Sequence, residues 1–202
     1  MIIKNDIEKL TTFINLGKVA CFKTDTIWGL SANPLNKTSL QALYSLKQRQ
    51  IDKPFIFLIS KNFNLKQVVK NISPLEQKLI NNFWPGPLTI IFEAKENLPI
   101  LSYYQNKQTI ALRMPDDNTT QNILSKLNYP LPSTSVNLEN NPPLNSFEEI
   151  YNNFYNENIV LFNSNEKTNE NISSTIVKVE DNNIKILREG SIKKEKILSI
   201  LT

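Results

Sequence analysis

Short apolar runs alternate with segments of helical periodicity along the whole sequence, and this alternation limits the fold more than any other feature. Runs that predict buried strands occupy residues 19–22, 55–59, 88–92, 109–113, 159–162, 175–179 and 184–187. Segments that predict helices occupy residues 5–16, 38–48, 118–127 and 192–201, and two further helices open at Ser73 and Ser146. This mixed order predicts an α/β (or α+β) chain with one mixed sheet. A length of 202 residues favours a single domain over residues 1–202.

The residue types that the sequence lacks exclude several kinds of site. There is no His, a single Cys (Cys21) and only four Gly. Ser-His-Asp and Cys-His mechanisms and His-ligated zinc are therefore excluded. One Cys allows neither a disulfide framework nor a cysteine metal cluster, and we expect Cys21, which lies in an apolar run, to be an inert core thiol. The Gly residues are too far apart for a Walker A loop or G-x-G-x-x-G.

Charge and hydropathy indicate where the chain works. A net charge of +4 permits an anionic ligand, but it is too small to indicate a nucleic-acid-binding protein by itself. No apolar run reaches 18 residues, so we expect no membrane span or membrane partner. The first residues lack a signal-peptide core, and together with the single Cys this predicts a cytoplasmic location.

Three arginines stand among twenty lysines, at Arg49, Arg113 and Arg188. A guanidinium binds phosphate or carboxylate through two N–H groups and an ammonium does not, so these positions either need the planar group or carry it by chance. Lys47, Arg49 and Lys53 cluster at a helix end and the loop that follows. Three cations there suit a polyphosphate, and the alternative is the common placement of cations at a helix C-terminus.

Polar side chains cluster at other predicted strands. Residues 133–137 hold four hydrogen-bonding side chains, which either bind an anion or form an ordinary Ser/Thr turn. Thr109 and Arg113 share one face of a strand by period-two alternation, and a buried Arg113 would need an anion. Residues 23–26 form a polar turn between a strand and Trp28-Gly29. The segment 23–30 either lines a pocket or places Trp28 in the core.

Together these segments resemble the motifs of the YrdC/TsaC family, the threonylcarbamoyl-AMP synthases. The motifs are KTDTIWGL (23–30), KQRQIDKP (47–54), WPGPLT (84–89), IALRMP (110–115), PSTSVN (132–137), STIV (174–177) and LREG (187–190). Each is weak alone, but seven in the family's order at similar spacing make a specific resemblance over nearly the whole chain. One departure is Lys23, which stands where the family usually has Pro.

The resemblance implies a twisted, mostly open sheet with flanking helices, whose concave face forms a basic pocket. It implies a reaction that joins L-threonine, bicarbonate and ATP, with Mg2+ on the ATP, into threonylcarbamoyl-AMP and pyrophosphate. The product would pass to a tRNA threonylcarbamoyl transferase complex for the t6A modification of tRNA position 37.

By the family pattern, the site residues fall into three groups. The L-threonine side would be lined by Thr26, Arg113, Ser133 and Ser174. ATP would be bound by Arg49, Lys53, Thr109, Ser135, Asn137 and Arg188. The catalytic cations would be Lys47, Arg49 and Lys53.

Such a reaction needs no protein nucleophile, which fits a chain without His. Threonine's amine attacks CO2 or bicarbonate, the resulting carbamate attacks the α-phosphorus of ATP, and positioning and charge neutralisation supply the rate. Two alternatives stay open: a paralogue that binds double-stranded RNA or tRNA, and a paralogue that uses another acyl substrate. Weak tRNA binding is left open as well. Residues 163–173 are the most loop-like stretch.

Overall fold

One mixed β-sheet runs through the chain. The computed structural model describes residues 1–48, 54–104, 108–137, 141–154, 158–164 and 172–201. Ten strands of these residues form the sheet, in the order β1-β8-β2-β3-β7-β4-β6-β5-β9-β10. The strands are β1 (Ile2–Lys4), β2 (Val19–Lys23), β3 (Trp28–Ser31), β4 (Ile56–Leu58), β5 (Leu88–Glu93), β6 (Thr109–Arg113), β7 (Leu131–Ser135), β8 (Ile159–Asn163), β9 (Thr175–Glu180) and β10 (Asn183–Arg188). Parallel and antiparallel pairs alternate irregularly, which confirms the predicted α/β fold with one mixed twisted sheet.

Helices flank the sheet on both faces. They are α1 (Ile7–Asn15), α2 (Lys37–Lys47), α3 (Pro74–Phe83), α4 (Asn118–Leu127), α5 (Phe147–Phe154) and α6 (Lys194–Leu198). The helix start predicted at Ser73 is confirmed as a capping box. The Glu76 N–H donates to Ser73 Oγ at 3.2 Å, and the Ser73 N–H donates to Glu76 Oε2 at 2.7 Å. None of the helices in the described ranges combines the length and the apolar character that crossing a bilayer requires.

Two hydrophobic cores lie on opposite faces of the sheet. The larger core packs α2, α3, α5 and α6 against side chains such as Leu30, Phe57 and Leu112. The smaller core packs α1 and α4 against the other face, which presents Phe22 and Leu58. Cys21 is fully buried in the larger core, and burial raises the pKa of its thiol, as expected for an inert side chain. The smaller core covers only part of its face, so the remainder is open.

Strand register decides which side chains occupy that open part. Leu58 pairs with Arg113, Arg113 with Thr89, Thr89 with Ile176, and Ile176 with Arg188. Residues that pair across neighbouring strands point to the same face. Two arginines that are distant in the sequence therefore lie in one row across the sheet.

Three of the ten strands were not among the predicted runs, although the third, β7, lies where the sequence indicated a strand end. β1 is three residues long, too short to show a pattern. In β3 all four residues are buried, including Gly29 and Ser31, so it lacks the alternation that marks a half-buried strand. β7 continues to Ser135, where the sequence indicated only polar residues at a strand end.

Removing the cap of α3 should measurably destabilise the fold. Ser73→Ala eliminates the side-chain acceptor for the Glu76 N–H, so we expect the free energy of unfolding to fall by about 1 kcal/mol. Urea denaturation followed by circular dichroism measures this difference. The control is Ser102→Ala, since Ser102 is exposed and its side chain makes no hydrogen bond within the described ranges. Equal losses in the two variants would contradict the capping role.

Candidate functional site

A cavity of about 190 Å3 lies on the open part of the sheet face that α1 and α4 partly cover. Its polar lining consists of Thr24, Thr26, Arg113, Ser133, Thr134, Ser135, Ser173, Ser174 and Arg188. The structure thus brings together all four side chains predicted for L-threonine and two of those predicted for ATP. Hydroxyl and guanidinium groups dominate this lining, so the cavity can offer many donors to an anionic ligand.

Arg113 is the most constrained group of the cavity, with only 3% of its surface exposed. Its NH1 donates to Thr26 Oγ1 at 2.9 Å and its NH2 to Thr24 Oγ1 at 3.2 Å, while Asp25 Oδ1 forms an ion pair with NH2 at 3.0 Å. Burial lowers the pKa of the Arg113 guanidinium, and the negative charges of Asp25 and Asp117 oppose that change. The expectation that a buried Arg113 needs an anion is confirmed, and the anion is Asp25.

Two hydrogen bonds from backbone N–H groups connect the turn that contains Asp25 with the start of α4. The Asp25 N–H donates to Asp117 Oδ2 at 3.0 Å, and the Asp116 N–H donates to Asp25 Oδ2 at 3.1 Å. Asp117 is also the N-cap of α4, where its Oδ1 accepts from the Thr120 N–H at 2.7 Å. Burial raises the pKa of the Asp117 carboxyl, and these N–H donors oppose the rise. The position of Arg113 therefore depends on α4.

Arg188 reaches the same cavity from β10. Its Nε and NH2 donate to the Ser174 carbonyl oxygen at 3.3 and 2.8 Å, and NH2 also approaches Ser174 Oγ at 3.3 Å. Partial burial of the guanidinium, and then the positive charge of Arg113, lower the pKa of Arg188. A negatively charged ligand between the two guanidinium groups would offset their repulsion.

Lys47 lies against the end of β7. Its Nζ donates to the carbonyl oxygens of Ser135 at 2.8 Å and Asn137 at 2.6 Å, and also to the side-chain oxygen of Asn137. The Ser135 hydroxyl donates to the same side-chain oxygen at 2.5 Å. The structure therefore groups three predicted residues, of which Ser135 lines the cavity. Lys47 contributes a positive charge beside the cavity.

Not every predicted residue lies at this cavity. Thr109 stands at the other end of β6, where it lines a second opening of about 970 Å3. Arg49 and Lys53 lie outside the described residues, as do residues 165–171 of the predicted loop. Pro54, the first described residue after Lys53, lines the cavity.

In the sequence Gly29 stands out only as part of the motif KTDTIWGL (23–30), and the structure shows what this position requires. A Cβ at Gly29 would lie 2.7 Å from Ser133 Oγ, so the cavity wall has no space for a side chain. Glycine inside an apolar strand is the signal that indicates such a close approach. Both alternatives for Trp28 are correct, because it is buried, packs at 6.2 Å between ring centroids against Phe147, and lines the cavity.

Comparison with known proteins connects this geometry to a family. The family model Sua5/YciO/YrdC, whose description is telomere recombination, matches residues 12–190. The threonylcarbamoyl-AMP synthase of Pyrococcus abyssi is 28% identical over 189 residues, which are 94% of this chain and 55% of that protein. A putative threonylcarbamoyl-AMP synthase of Methanocaldococcus jannaschii is 31% identical over 195 residues, 96% of this chain and 90% of the relative. The chain thus spans about half the length of the first relative and most of the second.

Solved structures give the same picture. The crystal structure of P. abyssi Sua5 complexed with L-threonine has a TM-score of 0.88 at 25% identity, covering 100% of this chain and 60% of that one. E. coli YciO has a TM-score of 0.82 at 20% identity and covers 98% of both chains, which is a similarity of fold alone.

The ion pair between Arg113 and Asp25 should show strong coupling. Arg113→Met leaves the Asp25 carboxylate without its buried partner, so we expect a loss of about 3–5 kcal/mol in the free energy of unfolding. The double variant Asp25→Asn, Arg113→Met leaves neither charge and should lose clearly less than the sum of the two single losses. Urea denaturation of the four proteins completes the cycle. Additive losses would show that the two charges do not depend on each other.

Proposed function

The chain belongs to the Sua5/YciO/YrdC family, and from this premise we propose that it is an L-threonylcarbamoyladenylate synthase, a nucleotidyltransferase. The proposed reaction converts L-threonine, bicarbonate and ATP into threonylcarbamoyl-AMP, pyrophosphate and water. The observation that carries the proposal is the cavity that Arg113 and Arg188 line together with the hydroxyls of Thr26, Ser133 and Ser174. The names of the relatives, and the bound L-threonine named for one of them, support the same assignment.

The size of the cavity suits the amino-acid part of the reactants. About 190 Å3 lies below the range of roughly 300–1,000 Å3 that is usual for small-molecule pockets, so ATP has to extend beyond it. Among the described residues, the hydroxyls of Thr26 and Thr24 take two of the five N–H donors of Arg113, and Asp25 Oδ1 lies 3.0 Å from NH2 as an ion-pair partner. The remaining donors can bind the carboxylate of threonine as a charge-assisted pair.

The nucleotide would bind where β7 ends. There Ser135 lines the cavity, Lys47 supplies a positive charge, and Arg188 closes the opposite side. Asn137, whose side-chain oxygen accepts from Lys47 and Ser135, remains a predicted ATP contact. Arg49 and Lys53 remain predicted phosphate ligands and catalytic cations, and Thr109 remains a predicted ATP contact. Within the described ranges, no group of three or more carboxylate or cysteine side chains could hold a metal ion. We therefore assign Mg2+ to the phosphates of ATP, where it would neutralise charge on the leaving pyrophosphate.

The residues of the site would act by positioning. Threonine held at Arg113 forms its carbamate with bicarbonate, releasing water, and the carbamate oxygen then attacks the α-phosphorus while pyrophosphate departs. Fixed guanidinium and hydroxyl donors stabilise the charge that develops on both groups. No side chain forms a covalent bond in this sequence. We place the reaction in the cytoplasm, with the adenylate passing to a tRNA threonylcarbamoyl transferase complex for t6A synthesis.

Pyrophosphate release tests the proposal directly. The purified protein is incubated with Mg-ATP, L-threonine and bicarbonate, and each component is omitted in turn. We expect release only when all components are present. Pyrophosphate release without threonine, when another amino acid or carboxylic acid is supplied instead, would favour a paralogue with a different acyl substrate. ATP-independent, salt-sensitive RNA binding without pyrophosphate release would favour an RNA-binding module.

Arg113→Lys should damage the use of threonine specifically. Lysine keeps the charge but loses the planar pair of donors, so we expect kcat/KM for threonine to fall by about 10- to 100-fold. The control is Lys126→Ala on α4, which removes an exposed cation paired with Glu8 and should leave kcat/KM unchanged. Equal activity of Arg113→Lys and the wild-type protein would contradict the proposed role of Arg113.

A further inference from the structure

Thr89 on β5 is completely buried beneath the cavity and belongs to none of the predicted groups of site residues. It has no exposed surface, and its Oγ1 lies 2.8 Å from Ser174 Oγ. In the register of the sheet it pairs with Arg113 on one side and with Ile176 on the other. Thr89 thus lies between the two walls of the cavity that carry the guanidinium groups.

The direction of this hydroxyl–hydroxyl bond follows from the other groups around it. Among the described residues, Ser174 Oγ is the hydrogen-bond partner of the Thr89 hydroxyl, so the buried Thr89 proton is satisfied only if Thr89 donates. Arg188 can only donate, and its NH2 approaches Ser174 Oγ at 3.3 Å. A hydroxyl oxygen has two lone pairs, and these two donors use both. The proton of Ser174 is then left to point at an acceptor in the cavity.

Contacts that do not involve Thr89 hold the main chain around Ser174. Thr89 therefore acts on the Ser174 hydroxyl and not on its backbone. The next side chain, Thr175, accepts from the Gly190 N–H at 2.9 Å and the Ile192 N–H at 3.0 Å, and donates to the Ile192 carbonyl at 2.7 Å. A Cβ at Gly190 would lie 2.1 Å from the Ser173 carbonyl oxygen, which shows how closely the two segments approach. These contacts fix the backbone and leave two rotations of the Ser174 side chain to be set. Rotation about Cα–Cβ places Oγ, and rotation about Cβ–Oγ directs its proton.

We propose that Thr89 is a positioning residue that donates to Ser174 Oγ and thereby makes the Ser174 hydroxyl an obligatory donor to an oxygen of the bound substrate. The inference rests on the proposed function, because Ser174 is predicted on the threonine side. The oxygens of a carboxylate or carbamate meet this requirement, since they accept hydrogen bonds and carry no proton at neutral pH. A ligand group that donates would find Ser174 without a lone pair, so Thr89 contributes specificity as well as affinity.

Four variants at two positions test the proposal. Thr89→Val keeps the shape and removes the donor, Thr89→Ser keeps the donor, Thr89→Cys has a weak donor, and Ser174→Ala removes the hydroxyl that is positioned. Binding of L-threonine is measured by isothermal titration calorimetry, and the KM for threonine by pyrophosphate release. We expect Thr89→Val to weaken threonine binding about three- to tenfold, the size of one ordinary hydrogen bond. Thr89→Ser should bind within twofold of the wild-type protein and Thr89→Cys should lie between.

The background of Ser174→Ala separates positioning from a purely structural effect. With the Ser174 hydroxyl gone, Thr89→Val should weaken binding no further, whereas a general loosening of the sheet would weaken it in both backgrounds. Thr11→Val is the matched control, because Thr11 is a buried threonine of α1 whose hydroxyl contacts Ile7 and Glu8 carbonyls away from the cavity. It should bind threonine normally.

The possible failures are distinguishable. Wild-type protein that binds no L-threonine would overturn the proposed function and this inference with it. Wild-type protein that binds, together with equal binding by Thr89→Val, would overturn the role of Thr89 alone. A loss that persists in the Ser174→Ala background would also overturn it. Should Thr89→Val fail to fold, equal binding by Thr89→Ser and Thr89→Cys contradicts the proposal.

Discussion

The buried positive charge of Arg113 is the constraint on which the cavity depends. Removing a guanidinium from water costs several kcal/mol unless partners compensate it, so the fold has to deliver an anion and acceptors to this point. They come from the turn between β2 and β3, through Thr24, Asp25 and Thr26, and that turn is fastened in its place by Asp117 at the start of α4. A strand, a turn and a helix must therefore assemble together before the charge is satisfied.

The register of the sheet also fixes where Arg188, on the opposite wall of the cavity, lies relative to Arg113. Arg113, Thr89, Ile176 and Arg188 follow one another across four paired strands, and neighbouring strands are about 4.8 Å apart. Arg188 bends back onto Ser174, so its guanidinium also faces the cavity. Because strand spacing cannot change without breaking hydrogen bonds, the separation of the two cationic walls is a property of the sheet rather than of flexible loops.

Local sequence signals predict most of the helices and strands. The contacts within the cavity could not be predicted, because they depend on long-range strand pairing. The capping box at Ser73 and the apolar runs act over a few residues, and the elements that they indicate are present. Period-two alternation placed Thr109 and Arg113 on one face, but four residues along a strand are roughly 13 Å, which leaves them at different openings. No spacing rule connects Arg113 to Asp25, or Ser174 to Thr89, because those contacts exist only after the strands have paired.

The chemistry of the lining has a further consequence for the proposed reaction. In the described part of the chain, the polar side chains at the cavity are those of Thr, Ser and Arg, and none of these types titrates near neutral pH. In the proposed reaction, the proton lost when the threonine amine attacks bicarbonate would leave with the water that is expelled, without passing to a side chain of this lining. The cavity consequently acts by holding groups of fixed polarity at fixed places. The proposed reaction therefore requires no histidine, a residue that this sequence lacks.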